Sequence, residues 1–124
     1  MRIDEKPVRT DSAACTWAMA VHLAALGMYL GLLFTNVLVP WLIWRWKREA
    51  DPMIAGHALA ALNFQISVMI VGLAAIVVAV LIPLAWILVI AVFTLNIICI
   101  GRAADRAREG LDPGYPRIRD WIRP

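Results

Sequence analysis

Five polar side chains stand inside long apolar stretches of the sequence, and they are the first candidates for chemistry. They are His22, His57, Asn63, Gln65 and Ser67. Asn63 and Ser67 are four residues apart and share one face of a helix, whereas Gln65 points nearly the opposite way. Polar groups in lipid must find partners, so these residues either join helices or line a path for a substrate, a lipid headgroup or a partner protein.

The sequence shows no catalytic or metal-binding constellation around these residues. His22 and His57 could meet if two hairpins pack closely, but two histidines without carboxylate or thiolate support give too few ligands for a typical zinc site. No Asp or Glu lies inside the apolar stretches, although an embedded carboxylate is the usual mark of an ion-coupled transporter. We therefore expect no enzyme activity, no metal and no cofactor.

The absence of charge over long stretches identifies the elements that hold these residues. Of the 124 residues, 62% are apolar and 17% are charged, and no charged residue falls between Asp11 and Arg45 or between Asp51 and Arg102. A charge at the bilayer centre costs about 2.5–3.5 kcal/mol on insertion scales. The runs predict an integral membrane protein and disfavour a soluble domain. Membrane topology, not nucleic-acid binding, then explains the net charge of +3.

Breaks in the two apolar stretches predict an all-α bundle of four segments, arranged as two helical hairpins. As one straight helix, each stretch would overshoot a hydrocarbon core of about 30 Å. Gly31 and Pro40 weaken the first stretch, and Pro83 breaks the second. We predict helices at 12–30, 37–47, 55–81 and 84–106. The second of these is short enough to be re-entrant.

The basic residues predict the orientation of these hairpins. In this arrangement all twelve Lys and Arg residues fall on one side of the membrane. Because Lys and Arg collect in cytoplasmic loops, we expect an inner (plasma) membrane protein with both termini in the cytosol. The chain then divides into a cytosolic N-terminal segment (1–11), a transmembrane bundle (12–110) and a cytosolic interfacial tail (111–124). The alternative is a three-span arrangement with the N-terminus outside.

Aromatic residues indicate where the chain meets the membrane interface. Trp41, Trp44, Tyr115 and Trp121 are candidate interface anchors, because amphipathic rings favour the headgroup zone. In the tail, an i, i+3, i+4 spacing is typical of a short segment lying on the membrane surface, and a frayed tail is the alternative. The residues at that spacing are Ile118, Trp121 and Ile122.

Small residues indicate where helices approach one another. Ala20, Ala24, Gly27 and Gly31 form a stripe of small side chains that ends in a GxxxG pair. Such stripes let helices pack closely. Because a single GxxxG pair is weak evidence for dimerisation, packing within the monomer, or bending at the hinge, is favoured.

Several sequence elements together resemble a known family. They are His22-Leu-Ala-Ala-Leu26, Pro40-Trp-Leu-Ile-Trp44, His57-Ala58, Ala61-Leu-Asn-Phe-Gln65 and Tyr115-Pro116. The set is similar to a widespread family of small, largely uncharacterised prokaryotic membrane proteins, which is distantly similar to the chloroplast inner-envelope import component Tic twenty. The resemblance implies a four-segment bundle with both termini in the cytosol. It also implies, by analogy with the plastid relative, a link to protein translocation.

The sequence leaves three candidate functions. The first is a non-enzymatic interaction or assembly component, embedded in membrane lipids and associating with itself or with a larger membrane protein complex. The second is a channel or protein-translocon-like component, which the polar face at Asn63 and Ser67 would favour. A membrane enzyme comes last, because no acid, base or nucleophile is in place. We expect no nucleic acid among the partners.

Overall fold

Four α-helices follow one another in the part of the chain that the structure describes, residues 11–31, 34–116 and 119–124 of a computed structural model. They are α1 (Ser12–Ala24), α2 (Thr35–Lys47), α3 (Pro52–Leu81) and α4 (Trp86–Arg108), with 3₁₀ turns at Ala25–Leu30 and Pro83–Ala85. The described residues contain no strand, so the predicted all-α bundle of four segments is confirmed. The predictions for residues 1–10 and for Ile118 lie outside the described residues.

The second hairpin turns at Pro83, as the sequence predicts, and begins at Pro52, three residues before the predicted start at residue 55. Asp51 caps α3, because its carboxylate accepts hydrogen bonds from the backbone N–H groups of Met53 (3.1 Å) and Ile54 (3.3 Å). The helix runs for 30 residues, about 45 Å. It ends at Leu81, and the next residue, Ile82, is extended because Pro83 disfavours a helical conformation in the residue before it.

The first hairpin is short and tightly turned. After α1 the chain tightens into the 3₁₀ turn and reverses through Gly31 and Phe34, whose φ angles of 85° and 66° are left-handed. A Cβ on Gly27 would lie 2.7 Å from Thr35 Oγ1, a closeness that only glycine permits. The return helix α2 has 13 residues, about 20 Å. Among the described residues, three segments are long and apolar enough to cross a membrane: Ser12–Leu30, Pro52–Leu81 and Pro83–Arg108.

The two hairpins differ in length. At the end of the first hairpin, the Tyr29 hydroxyl donates to the Phe93 carbonyl of α4 (3.1 Å). Phe93 lies ten residues beyond Pro83, so the first hairpin ends about 15 Å short of the turn of the second. Beyond the level of the Tyr29–Phe93 contact, the described part of the bundle consists of α3 and α4 alone. These two helices pack around Ala75, Ala79 and Val89.

The packed face of α1 differs from the predicted stripe of small residues. Ala20 and Gly31 are exposed and Ala24 is half-buried. The 3₁₀ turn has about 3.0 residues per turn, so a stripe counted at helical spacing does not continue to Gly27 and Gly31. Of the predicted stripe, Gly27 makes the close approach. The buried residues of α1 and of the turn that follows are instead Ala14, Cys15, Ala18, Val21, His22 and Ala25.

Candidate functional site

A cluster of four polar side chains lies where all four helical segments meet. At its centre, Gln65 Oε1 of α3 accepts from Asn36 Nδ2 of α2 (3.2 Å), and Gln65 Nε2 donates to Asn96 Oδ1 of α4 (2.9 Å). Asn96 Nδ2 donates in turn to the Tyr29 hydroxyl (2.8 Å). The three amides are at most 1% exposed, so they depend on one another for hydrogen bonds. We call these four residues the amide cluster.

The amide cluster is suited to packing rather than to reaction. Carboxamides neither ionise at neutral pH nor act as nucleophiles. These bonds connect α3 with α2 and with α4, and α4 with the 3₁₀ turn. Within the described residues, Asn36 Oδ1 is the buried side-chain atom without a hydrogen-bond partner. The cluster therefore fixes how the two hairpins sit on each other.

A second cluster joins both predicted histidines to the tail. His22 Nε2 and His57 Nδ1 are 2.9 Å apart, and His22 Nδ1 lies 2.8 Å from the Tyr115 hydroxyl. Both histidines are buried, and the Tyr115 ring stacks on Phe64 with centroids 4.4 Å apart. We call His22, His57 and Tyr115 the histidine–tyrosine cluster. Tyr115, predicted as an interface anchor, is half-buried, and its ring and its hydroxyl both find partners within the chain.

One assignment of protons satisfies this cluster with every group neutral. Burial raises the pKa of Tyr115 well above its ordinary value, so the phenol keeps its proton and donates to His22 Nδ1. His22 then donates from Nε2 to His57 Nδ1. The other nitrogen of His57, Nε2, then carries the proton of that neutral ring. Because the unprotonated nitrogen of each ring already accepts a hydrogen bond, neither histidine is available as a general base in this arrangement.

The tail is fastened to the face of α3 that carries Asn63 and Ser67. Asn63 Oδ1 accepts from the backbone N–H of Ile122 (2.7 Å), and Asn63 Nδ2 donates to the carbonyl of the same residue (2.8 Å). Trp121 Nε1 donates to Ser67 Oγ (2.9 Å). The described tail residues form no helix, and the predicted surface segment includes Ile118, which lies outside them. Hydrogen bonds to α3 hold Trp121 and Ile122 in place.

Between the tail and the first half of α3 lies an open groove of about 800 Å³. The α3 wall is mainly apolar and includes Leu59, Ala60 and Phe64. It also contains Gly56, where an added Cβ would meet no atom within 4 Å. The tail wall carries charged residues of both signs: Asp112, Arg119, Asp120 and Arg123. We call this cavity the tail groove.

Tryptophans and cations lie together at the end of α2. Lys47 Nζ is 4.3 Å from the ring centroid of Trp46, and the Arg48 guanidinium is 6.0 Å from that of Trp44. Trp44 is half-buried and Trp41 is 38% exposed. A partly exposed ring beside a cation suits a membrane interface, which supports Trp44 as a candidate anchor. Trp41 stays a candidate because of its exposure alone.

The five polar residues that stand out in the sequence do not form one site. His22 and His57 meet in the histidine–tyrosine cluster, Asn63 and Ser67 hold the tail, and Gln65 belongs to the amide cluster on another side of α3. Among the described residues, no group of three or more His, Cys, Asp or Glu is placed to hold a metal. The arrangement can hold helices and tail in register.

Sequence reasoning missed the partners of Gln65. Asn96 and Tyr29 complete the amide cluster, yet neither stands out by motif. The available signal was that Asn96 is an amide inside the apolar run of α4, because a polar group at such a position needs a partner on another helix. Which helix supplies that partner depends on packing, which spacing alone does not give.

Comparison with known proteins identifies a family for the chain. No curated protein and no solved structure matches it. The similarity to Tic twenty receives no support from these comparisons. The model of the magnetosome magnetite crystal formation protein family, MamF_MmsF, matches residues 13–122, which cover almost all of the four helices and of the tail. The chain therefore belongs to the MamF_MmsF family of magnetosome magnetite crystal formation proteins.

Proposed function

We propose that this protein is a non-enzymatic membrane component of magnetosome crystal formation, which acts by assembling with itself or with a larger membrane protein complex. The family match over residues 13–122 carries the proposal. Membership of the family suggests that the protein takes part in magnetosome crystal formation. The geometry of its polar side chains suggests that it contributes by assembly. The polar side chains that could have served chemistry are engaged in bonds within the chain, which leaves an assembly role as the better account.

The end of the second hairpin supports assembly. Past the level of Tyr29, Leu73, Val80 and Leu84 are 65%, 71% and 76% exposed. In a membrane, lipid tails cover such side chains, and helices of another chain compete with lipid for the same surface through close packing. A two-helix projection of this kind offers a partner more surface than a complete four-helix bundle would.

The hydrogen bonds of the tail disfavour the channel alternative. That alternative relied on Asn63 and Ser67 as a polar lining. Asn63 exchanges two hydrogen bonds with Ile122, and Ser67 accepts one from Trp121. A pore lining must offer its polar groups to the passing solute, and these groups are occupied.

The same proposal places both termini and the tail on the cytosolic side of the membrane, with residues 12–110 as the embedded bundle. The one-sided distribution of Lys and Arg supports it. A reporter fused to the N-terminus tests this orientation. Activity that requires the cytosol is expected, and a periplasmic N-terminus would overturn the arrangement in favour of three spans.

A complementation experiment tests the function. The chain is expressed in a magnetite-forming cell that lacks its own MamF_MmsF member, and crystal number and dimensions are measured by electron microscopy. We expect crystals closer to those of the parent cell than with the empty vector, together with one recurrent cross-linked partner in native membranes. Unchanged crystals despite membrane insertion, with only monomers after cross-linking, would refute the proposal.

A further inference from the structure

We propose that the tail groove is a binding site for one membrane phospholipid with a zwitterionic, amine-bearing headgroup. The headgroup sits against the tail and an acyl chain lies along α3. This inference stands apart from the role in crystal formation, since it concerns a ligand of the chain itself.

The size and lining of the groove support an amphiphilic ligand. Its volume of about 800 Å³ falls in the range of roughly 300–1,000 Å³ of typical ligand sites. Leu59, Ala60 and Phe64 give one wall an apolar surface, while the opposite wall is charged. An apolar wall facing a charged wall suits a molecule that has an acyl chain and a polar head.

The charges of the tail wall select the headgroup. Arg119 and Arg123 line the groove, and neither has a carboxylate partner within salt-bridge distance among the described residues. Guanidinium groups pair well with phosphate. Asp112 and Asp120 line the same groove, so a primary ammonium finds acceptors there, whereas a second negative charge or a quaternary ammonium without N–H donors is less well matched.

The groove also lies at the right place for a lipid to enter. Its lining on α3 reaches Ser67, and the exposed apolar side chains of that helix begin at Ile70 and Val71. The groove therefore continues, within about one helical turn, into the surface that faces lipid tails. A phospholipid in the surrounding membrane can place its chain in the groove without leaving the bilayer.

Two leucine substitutions make a matched test. Gly56→Leu puts a side chain into the groove, whereas Gly101→Leu puts the same side chain on α4. An added Cβ meets no atom within 4 Å at either position. Both positions are helical and exposed, and leucine favours a helix over glycine, so both variants are expected to fold. Circular dichroism in detergent checks this.

The measurement is native mass spectrometry of the full chain, released in mild detergent from vesicles of phosphatidylethanolamine and phosphatidylglycerol. We expect one bound phosphatidylethanolamine on the wild type and on Gly101→Leu, and about tenfold lower occupancy on Gly56→Leu. Arg119→Gln/Arg123→Gln should lose the lipid in the same way, while the control Arg102→Gln/Arg108→Gln should keep it. Equal occupancy on Gly56→Leu and Gly101→Leu, preferential binding of phosphatidylglycerol, or a peptide in place of lipid would overturn the proposal.

Discussion

Buried amides and imidazoles form hydrogen bonds between the described helices of this bundle. Gln65 has hydrogen-bond partners on α2 and α4, and His22 has one on α3 and one in the tail. A neutral hydrogen bond between membrane helices stabilises by about 0.6 kcal/mol on average and up to about 2. Several such bonds in one connected network favour a single arrangement of the helices over arrangements in which one helix is shifted along another.

Removing Asn96 from the amide cluster should destabilise the bundle. Asn96→Leu leaves the Gln65 amide without its α4 partner in a dry site, and we expect a loss of about 1–2 kcal/mol in the free energy of unfolding. Unfolding in mixed detergent micelles measures it. Thr94→Val is the control, because Thr94 is exposed on the same helix. An equal change in the free energy of unfolding for the two variants would show that the amide cluster makes no specific contribution to stability.

Tyr115 should make the stability of the bundle decrease at alkaline pH. Its pKa in the folded chain is raised by burial above the ordinary value of 10.0, so its contribution to the free energy of unfolding is complete below pH 10 and declines as the pH rises further. Tyr115→Phe keeps the ring on Phe64 but removes the phenol. We expect the variant to be less stable by about 1 kcal/mol at pH 8 and to lose less stability than the wild type by pH 11.

Unfolding curves at the two pH values provide the measurement. Tyr29 is present in both proteins, so the difference between their pH responses isolates Tyr115. Identical declines in stability from pH 8 to pH 11 would show that the phenol of Tyr115 does not ionise with a perturbed pKa.

The course of each helix could be read largely from the sequence, and its packing could not. Pro83 predicts where α3 ends, because proline acts on the backbone of the residue before it. The start predicted at residue 55 is three residues late, because Asp51 caps the helix at Pro52. The 3₁₀ turn after Ala24 has no comparable local signal, and it changes which side of the chain faces α2. The contacts of Trp121 and Ile122 with α3 likewise have no local signal in the sequence.

Gly27 should be intolerant of a side chain because of where the first hairpin turns. An added Cβ would lie 2.7 Å from Thr35 Oγ1, so Gly27→Ala must push the turn away from α2, and we expect a loss of about 1–2 kcal/mol in the free energy of unfolding. Gly101→Ala, with open space around it, should be neutral or slightly stabilising. Thr35→Ala removes the clashing atom and should recover part of the loss in the double variant.

At the scale of the chain, two hairpins of unequal length form a bundle that is complete at one end only. The four segments and the apolar surface follow from charge-free runs and helix breakers. The relative height of the hairpins follows from contacts such as that of Tyr29 with Phe93, which join residues far apart in sequence. For this reason the sequence predicts a short return helix but does not predict where the turn of the first hairpin lies relative to the turn of the second.

The turn of the first hairpin should therefore be inaccessible from both sides of the membrane. After replacement of Cys15 and Cys99, single cysteines are placed at Leu30, which is 82% exposed at the end of the short hairpin, and at Leu84, which is 76% exposed at the turn of the long one. A third is placed at Glu49, between α2 and α3. A membrane-impermeant maleimide should label Glu49→Cys from one side and Leu84→Cys from the other. Leu30→Cys should react only after detergent is added, since about 15 Å of the second hairpin extends past it. Labelling of Leu30→Cys together with Leu84→Cys in intact membranes would mean that the first hairpin crosses the membrane completely.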